Sequence, residues 1–462
     1  MHGAALLLLL LLGGGRGGTA ASSAEEALLP IKLTRVLLND TASSGAVCLD
    51  GTPGGWFERV LPPDHPNATK FHLHIQGGGW GIGFHALLGR IQGRTGTSAI
   101  WPADMGDGGG LLSSDPAVNP ITGGWNILYL QYCDGGSFTG DRDEPIDVNG
   151  TKLYFRGRRI LREMITSLLA TRGMAAATEV LISGGSAGGL SVYLHANYIS
   201  RRLPASATVA VVPLSGFFLE SPDAGGAVTV VDRFRWLFET HNSTAAVEQS
   251  NPRCLFDNRG AEHLCLFAPR VLKYAERPTF VVNSIYDSYQ LPGILMLHLD
   301  PGWAESVTPG GFANREATSI CAGYEDCQGG IHQNKSLFRC NSSQMHRINV
   351  YRELMLTQAN LSGIEDPAVR ERSGCFLHSC VNHVEADNSA DWSAYTVDGV
   401  VMRDAIREWH SDLQRSITTA NAHDYDRLVG QVQAGHVWTG CRYTAKYPAG
   451  QQPAPCNPTC AV

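Results

Sequence analysis

The sequence predicts an α/β fold, a mostly parallel central sheet flanked by helices and carrying disulfide-stapled loops, on three observations. Apolar runs of strand length alternate with stretches at helical spacing. Several of those runs end in glycine-rich loops, where a strand turns over toward the next element. Two further runs, Ala207 to Leu214 and Thr279 to Ile285, are mostly apolar, as buried strands covered on both faces are.

In chain order, Ala4 to Leu12 is an uninterrupted apolar stretch, followed by small residues from Ala20 to Ala24. It is too short to span a bilayer and reads as a signal peptide over 1–24, leaving 25–462 as a single domain. Phe71 to Ile75 alternates apolar and polar residues at period two and runs into Gln76-Gly77-Gly78-Gly79-Trp80. Asn126 to Tyr132 is a second strand, ending at Cys133-Asp134-Gly135-Gly136. Gly157 to Thr171 places Ile160, Leu161, Met164, Ile165, Leu168 and Leu169 on one helical face. Glu179 to Ser183 is a short strand leading into Gly184 to Gly189, and Leu190 to Ile199 reads as the helix that follows. The Pro-rich stretch from Tyr447 to Pro458 reads as a stapled terminal loop.

Composition narrows the class. Among 462 residues, 43 Asp and Glu face 36 Lys and Arg, a net charge of −7 that argues against nucleic-acid binding. With 43% hydrophobic and 17% charged residues the chain has the apolar surface of a globular protein. Twelve Cys, an even number without the paired CxxC spacing of a zinc site, read as disulfides formed in an oxidising compartment. Sequons at Asn39, Asn67, Asn149, Asn242, Asn334, Asn341 and Asn360 agree with a secreted, glycosylated protein, and no later run has the length of a membrane span.

The chemistry falls where strand meets helix. Gly184-Gly185-Ser186-Ala187-Gly188 fits G-x-S-x-G, the nucleophile elbow of an α/β-hydrolase-like fold. A serine needs a base, and the acyl intermediate needs N–H donors. The Ala187 N–H and the Gly77 to Trp80 loop are their source; with no Lys-Ser/Thr after the glycines, a phosphate loop is disfavoured. Chain order places an acid and then a His after Ser186. Asp287, just past the run ending at Ile285 and Tyr286, suits the acid. For the base the order leaves His298, His332, His346, His378, His383, His410, His423 and His436 open. His72 and His74 share one face of their strand and read as part of an ordinary half-exposed strand rather than as metal ligands. No metal or cofactor is expected.

These residues also resemble a family. Gly45-Ala46-Val47-Cys48-Leu49-Asp50-Gly51, Gly77-Gly78-Gly79-Trp80, Tyr132-Cys133-Asp134-Gly135, Arg156-Gly157-Arg158-Arg159-Ile160, Ser183 to Leu190 and Cys456-Asn457-Pro458-Thr459-Cys460 are similar to motifs of the pectin acetylesterases, the plant members more than the animal Wnt deacylase Notum. The resemblance implies Ser186 as nucleophile, Asp287 as acid and His383 as base, leaving His378 a bystander. It implies Gly79, Trp80 and Ala187 as oxyanion donors, and the pairs Cys48 with Cys133 and Cys254 with Cys265. Two positions depart from the plant pattern: Gln76 stands where those members carry Glu, and Gly81 where they carry Cys, which suggests a differently shaped 81–110 loop.

The expected function is that of a secreted or cell-wall serine esterase that removes O-acetyl groups from pectin or a related polysaccharide. A Notum-like lipid deacylase, with Phe217, Phe218 and Trp80 lining an acyl pocket, is the second reading. A secreted carbohydrate-binding protein without turnover is the third, and it has no need of Ser186, Asp287 and His383 together.

Overall fold

The computed structural model describes residues 32–299, 318–320, 323–419 and 437–439. The expected leader over 1–24, the loop from Tyr447 to Pro458 and Cys321, Cys441, Cys456 and Cys460 lie outside them. From Lys32 onward the described residues make one compact unit.

A ten-stranded sheet forms the spine. In chain order its strands are β1 (Lys32–Leu37), β2 (Gly55–Arg59), β3 (Lys70–Ile75), β4 (Asp104–Gly106), β5 (Asn126–Leu130), β6 (Glu179–Gly185), β7 (Thr208–Leu214), β8 (Phe280–Ser284), β9 (Gly374–His378) and β10 (Val437–Thr439). They lie side by side as β10-β9-β8-β7-β6-β3-β5-β2-β1-β4. From β10 to β5 each neighbouring pair is parallel; β2, β1 and β4 add an antiparallel edge.

Helices cover the spine. The helix α1 (Gly157–Thr171) buries Ile160, Leu161, Met164, Ile165 and Leu168 in the same apolar cluster as Phe71, Leu73 and Ile75 of β3 and Leu128 and Leu130 of β5. This is the stripe its helical spacing announced. The helix α2 (Ala187–Arg202) starts three residues earlier than the sequence suggested, and every residue from Ala187 to Ser200 is buried, which leaves it no polar face to display. Disulfides join Cys48 to Cys133 at 2.06 Å and Cys254 to Cys265 at 2.02 Å. A third joins Cys327 to Cys340, and Cys380 is disulfide-bonded as well.

The strand β3 corrects one expectation. His72 and His74 are not half-exposed but 1% exposed each. Both are bonded to one hydroxyl, Ser183 Oγ, at 2.7 and 2.8 Å, and His72 also meets Thr122 Oγ1 at 3.0 Å. A polar layer satisfied side chain to side chain therefore replaces solvent on that face. Burial pushes the His72 imidazole down to about 3, so it stays neutral. The loop after Gly77 to Trp80 also differs from the family pattern for a visible reason. A Cβ on Gly81 would lie 2.2 Å from Leu87 Cδ2, within a short helix at Phe84–Arg90 that occupies the place a cysteine side chain would need.

Candidate active site

Ser186 is the residue between β6 and α2, and it holds φ 57° and ψ −124°. That backbone conformation costs a non-glycine residue on the order of 1–3 kcal/mol and persists only where the surroundings impose it. Here they do: Ser186 N–H donates to Leu214 O at 2.9 Å, and a Cβ on Gly188 would fall 2.1 Å from Ile75 O. Strand, turn and helix are thus pressed too close for side chains at the flanking positions. The serine side chain projects above the sheet, with the residue 8% exposed.

Two loops from the carboxyl ends of neighbouring parallel strands bring the partners, the place where open α/β sheets collect functional groups. Asp287 follows β8 and His383 follows β9. His383 Nε2 lies 2.8 Å from Ser186 Oγ and its Nδ1 donates to Asp287 Oδ2 at 2.9 Å. Asp287, 1% exposed, accepts through Oδ1 from the N–H groups of Tyr289 and Gln290 at 2.9 and 3.0 Å. The carboxylate is therefore fixed before it fixes the imidazole. Burial alone lowers the pKa of His383, but the Asp287 carboxylate and two further acidic neighbours outweigh it, and the pKa is raised above 6.5. The Tyr289 ring stacks on the imidazole at 5.2 Å. Of the other sequence candidates, His346 is exposed and His410 sits against Trp125; the side chains of His298 and His332, and His423 and His436 altogether, lie outside the described residues.

His378 is no idle bystander. Its Nε2 meets Glu385 Oε1 at 2.5 Å, with both side chains buried. Glu385 Oε2 also accepts from Ser215 Oγ at 3.3 Å, and Ser215 Oγ in turn accepts from Val384 N–H at 2.9 Å. These bonds tie the turn carrying His383 to β9 and to the end of β7, across Val384, which holds φ 58°. The signal was hidden in the sequence because seven residues separate His378 from Glu385 along a loop that folds back. Asp387 lies behind the elbow, with Oδ2 3.1 Å from where a Gly185 Cβ would be, and its buried Oδ1 has no hydrogen-bond partner. Burial and the charge of Glu385 push its carboxyl up to about 7.

The glycine loop after β3 packs on the elbow: a Cβ on Gly77 would sit 2.2 Å from Gly185 O. Its two carbonyls are held from behind. Arg90 Nη2 donates to Gly78 O at 2.8 Å and Tyr132 Oη donates to Gly79 O at 2.9 Å. In a trans peptide the N–H points opposite to the C=O. Anchoring these oxygens directs the N–H groups of Gly79 and Trp80 the other way. Neither those two nor the Ala187 N–H at the start of α2 has a hydrogen-bond partner among the described residues. The segment after β5 braces the arrangement. Tyr132 Oη accepts from Ser137 N–H at 3.1 Å, Trp80 Nε1 donates to Ser137 Oγ at 2.8 Å, and Ser137 Oγ donates to Ala187 O at 2.9 Å. Gln76, where the plant pattern has an acid, accepts from Tyr132 N–H at 3.0 Å.

Sheet, elbow and loops together define an α/β-hydrolase-like protein. A family model described as Pectinacetylesterase matches residues 26–308. Pectin acetylesterase 11 of Arabidopsis thaliana is 29% identical over 376 residues, 80% of this chain and 86% of that protein. Palmitoleoyl-protein carboxylesterase NOTUM of Schmidtea mediterranea is 24% identical over 393 residues, 80% of this chain and 62% of that protein. Among solved structures, the Wnt deacylase Notum from Drosophila matches with a TM-score of 0.65 at 21% identity, covering 94% of this chain and 100% of that one. The chain belongs to the pectinacetylesterase family and is a carboxylic ester hydrolase.

Proposed function

We propose that this esterase removes O-acetyl groups from pectin or a related cell-wall polysaccharide by a Ser186-His383-Asp287 triad. The observation that carries the reading is the continuous hydrogen-bonded path from Ser186 Oγ through both ring nitrogens of His383 to Asp287. With Nδ1 protonated toward Asp287, Nε2 is the free base that takes the Ser186 proton as Oγ attacks the ester carbonyl. The N–H groups of Gly79, Trp80 and Ala187 receive the oxyanion. The imidazolium, stabilised by Asp287, protonates the departing sugar oxygen. Water activated by the same His383 then releases acetate and restores Ser186.

A short acyl group is supported by the lining of the pocket bounded by Trp80, Phe218 and Tyr289. Arg233 also lines it, so a long hydrocarbon chain would press methylenes against a guanidinium. Export is supported by the leader over 1–24 and by the sequons, of which Asn39, Asn149, Asn242, Asn341 and Asn360 are exposed and Asn67 half-buried, the side chain of Asn334 lying outside the described residues. No described helix is long and apolar enough to cross a membrane.

The test is acetate release from acetylated pectin, in parallel with hydrolysis of a long-chain acyl ester, by the purified protein and by Ser186→Ala. Acetate release that disappears in the variant is expected. Preference for the long chain would favour the lipid deacylase reading, and silence of the wild-type protein on both would favour a binding protein.

A further inference from the structure

Glu385 is a buried carboxylate that the triad does not use. It is 1% exposed, and among the described residues no lysine or arginine pairs with it. Its partners are hydrogen-bond donors instead. His378 Nε2 lies 2.5 Å from Oε1, and Ser215 Oγ donates to Oε2 at 3.3 Å. The Cys380 N–H donates to His378 Nδ1 at 3.2 Å, so the ring proton sits on Nε2 and points at Glu385. Burial, which opposes the charge, is outweighed by the interaction with His378, and the pKa of Glu385 is lowered. The interior thus keeps a negative charge that no lysine or arginine balances, a costly arrangement.

His383, two residues away, is the group that benefits. In the proposed mechanism it becomes a cation, and the carboxylates that favour this cation are Asp287, from the loop after β8, and Glu385 and Asp387, from its own turn. The other titratable groups against these residues are phenols: Tyr289 stacks on the imidazole, and Tyr395 faces His378 at 5.3 Å. Glu385 reaches His383 through the backbone. Ser215 Oγ, just past β7, holds both Glu385 Oε2 and the Val384 N–H, so the residue after His383 is fixed from the sheet. We propose that Glu385 is a positioning residue for the base: tied to β9 by His378 and to the end of β7 by Ser215, it fixes the turn that carries His383 and adds a second permanent negative charge to that of Asp287. This rests on the reading of Ser186 as nucleophile and His383 as its base.

The experiment follows kcat and kcat/KM of the full-length protein on p-nitrophenyl acetate across the acid limb of the pH profile. Glu385→Gln keeps an acceptor for His378 and removes the charge. Expected is a kcat lower by about tenfold to a hundredfold with KM little changed, and an acid limb moved to lower pH, because the imidazole loses a neighbour that favours its protonated form. Glu385→Asp, which keeps the charge on a shorter arm, should retain the wild-type limb while losing part of kcat. A limb that coincides with that of the wild type, in a Glu385→Gln protein with native circular dichroism, overturns the proposal alone, since a residue that merely packs would not move it. Where Glu385→Gln does not fold, Ser215→Ala decides, because it frees Glu385 Oε2 and the Val384 N–H without removing a charge. Its kcat should fall by about tenfold with the limb in place, and a kcat within about twofold of wild type overturns the proposal. Turnover that persists in Ser186→Ala, run alongside, overturns the Ser186 reading and the proposal with it.

Discussion

Tyr132 is the most informative residue to change, because it is buried behind the glycine loop proposed to receive the oxyanion and holds that loop in place. The residue is 0% exposed, and its hydroxyl donates to Gly79 O at 2.9 Å while accepting from Ser137 N–H at 3.1 Å. Tyr132→Phe keeps the ring and removes both bonds. Each buried backbone group left unsatisfied costs about 1–3 kcal/mol, so with two such groups stability should fall by about 2–6 kcal/mol. The Gly79 carbonyl can recover a donor only by rotating its peptide, which turns the Trp80 N–H away from the serine. Losing one oxyanion donor outright costs on the order of 10² to 10³ in rate. Arg90 still holds the preceding peptide through Gly78 O, so the Gly79 N–H stays in place. Steady-state kinetics on p-nitrophenyl acetate should therefore show kcat down by between about ten and a thousandfold with KM little changed, the pattern of an interaction made in the transition state. Urea unfolding measures the stability loss in the same samples. A kcat within about threefold of wild type, in a variant that has lost the expected stability, would refute the idea that this hydroxyl aims the Trp80 N–H.

Other consequences can be checked as directly. Asp287→Asn keeps an acceptor for Tyr289 and Gln290 but holds His383 in the wrong tautomer, and kcat should fall by about 10⁴ with the fold intact by circular dichroism. Because the base must be neutral and its pKa is raised above 6.5, chiefly by the Asp287 carboxylate acting against burial, kcat/KM should fall as pH drops through a value above 6.5. Burial pushes the Asp134 carboxyl up to about 7 from 3.8. Between those values the folded state holds a proton that the unfolded chain has lost, so the stability this group contributes is complete below 3.8 and is lost as pH rises through about 7. Asp387 has the same sign. Asp134→Asn should flatten the fall in unfolding free energy between about pH 4 and pH 7; an unchanged slope would show that this carboxyl is already ionised in the folded protein.

The residues themselves show what could be read in advance. β6, the elbow and α1 were legible because each carries a local pattern: an apolar run, glycines set around one serine, and a stripe at helical spacing. Asp287 was placed by the apolar run before it, whereas His383 was one of eight histidines until a family motif singled it out. No local rule says which loop of a parallel sheet will reach across to Ser186. The antiparallel edge was missed altogether, since β1 is buried at Leu33 alone and carries no run to announce it. β3 misled in a different way. Its period-two polarity was real, but the polar face meets Ser183 and Thr122 rather than water, a pairing between segments more than a hundred residues apart in the first case. The pair of His378 with Glu385 was hidden because the loop between them folds back on itself, a path no local pattern announces.

The central claim, that Ser186 is the nucleophile activated through His383, is tested most directly by covalent labelling with a fluorophosphonate. Intact mass followed by peptide mapping should find one adduct per chain, on the peptide containing Ser186, and its formation should be lost in His383→Ala. An adduct on another residue, or turnover that persists with Ser186 replaced by Ala, would contradict it.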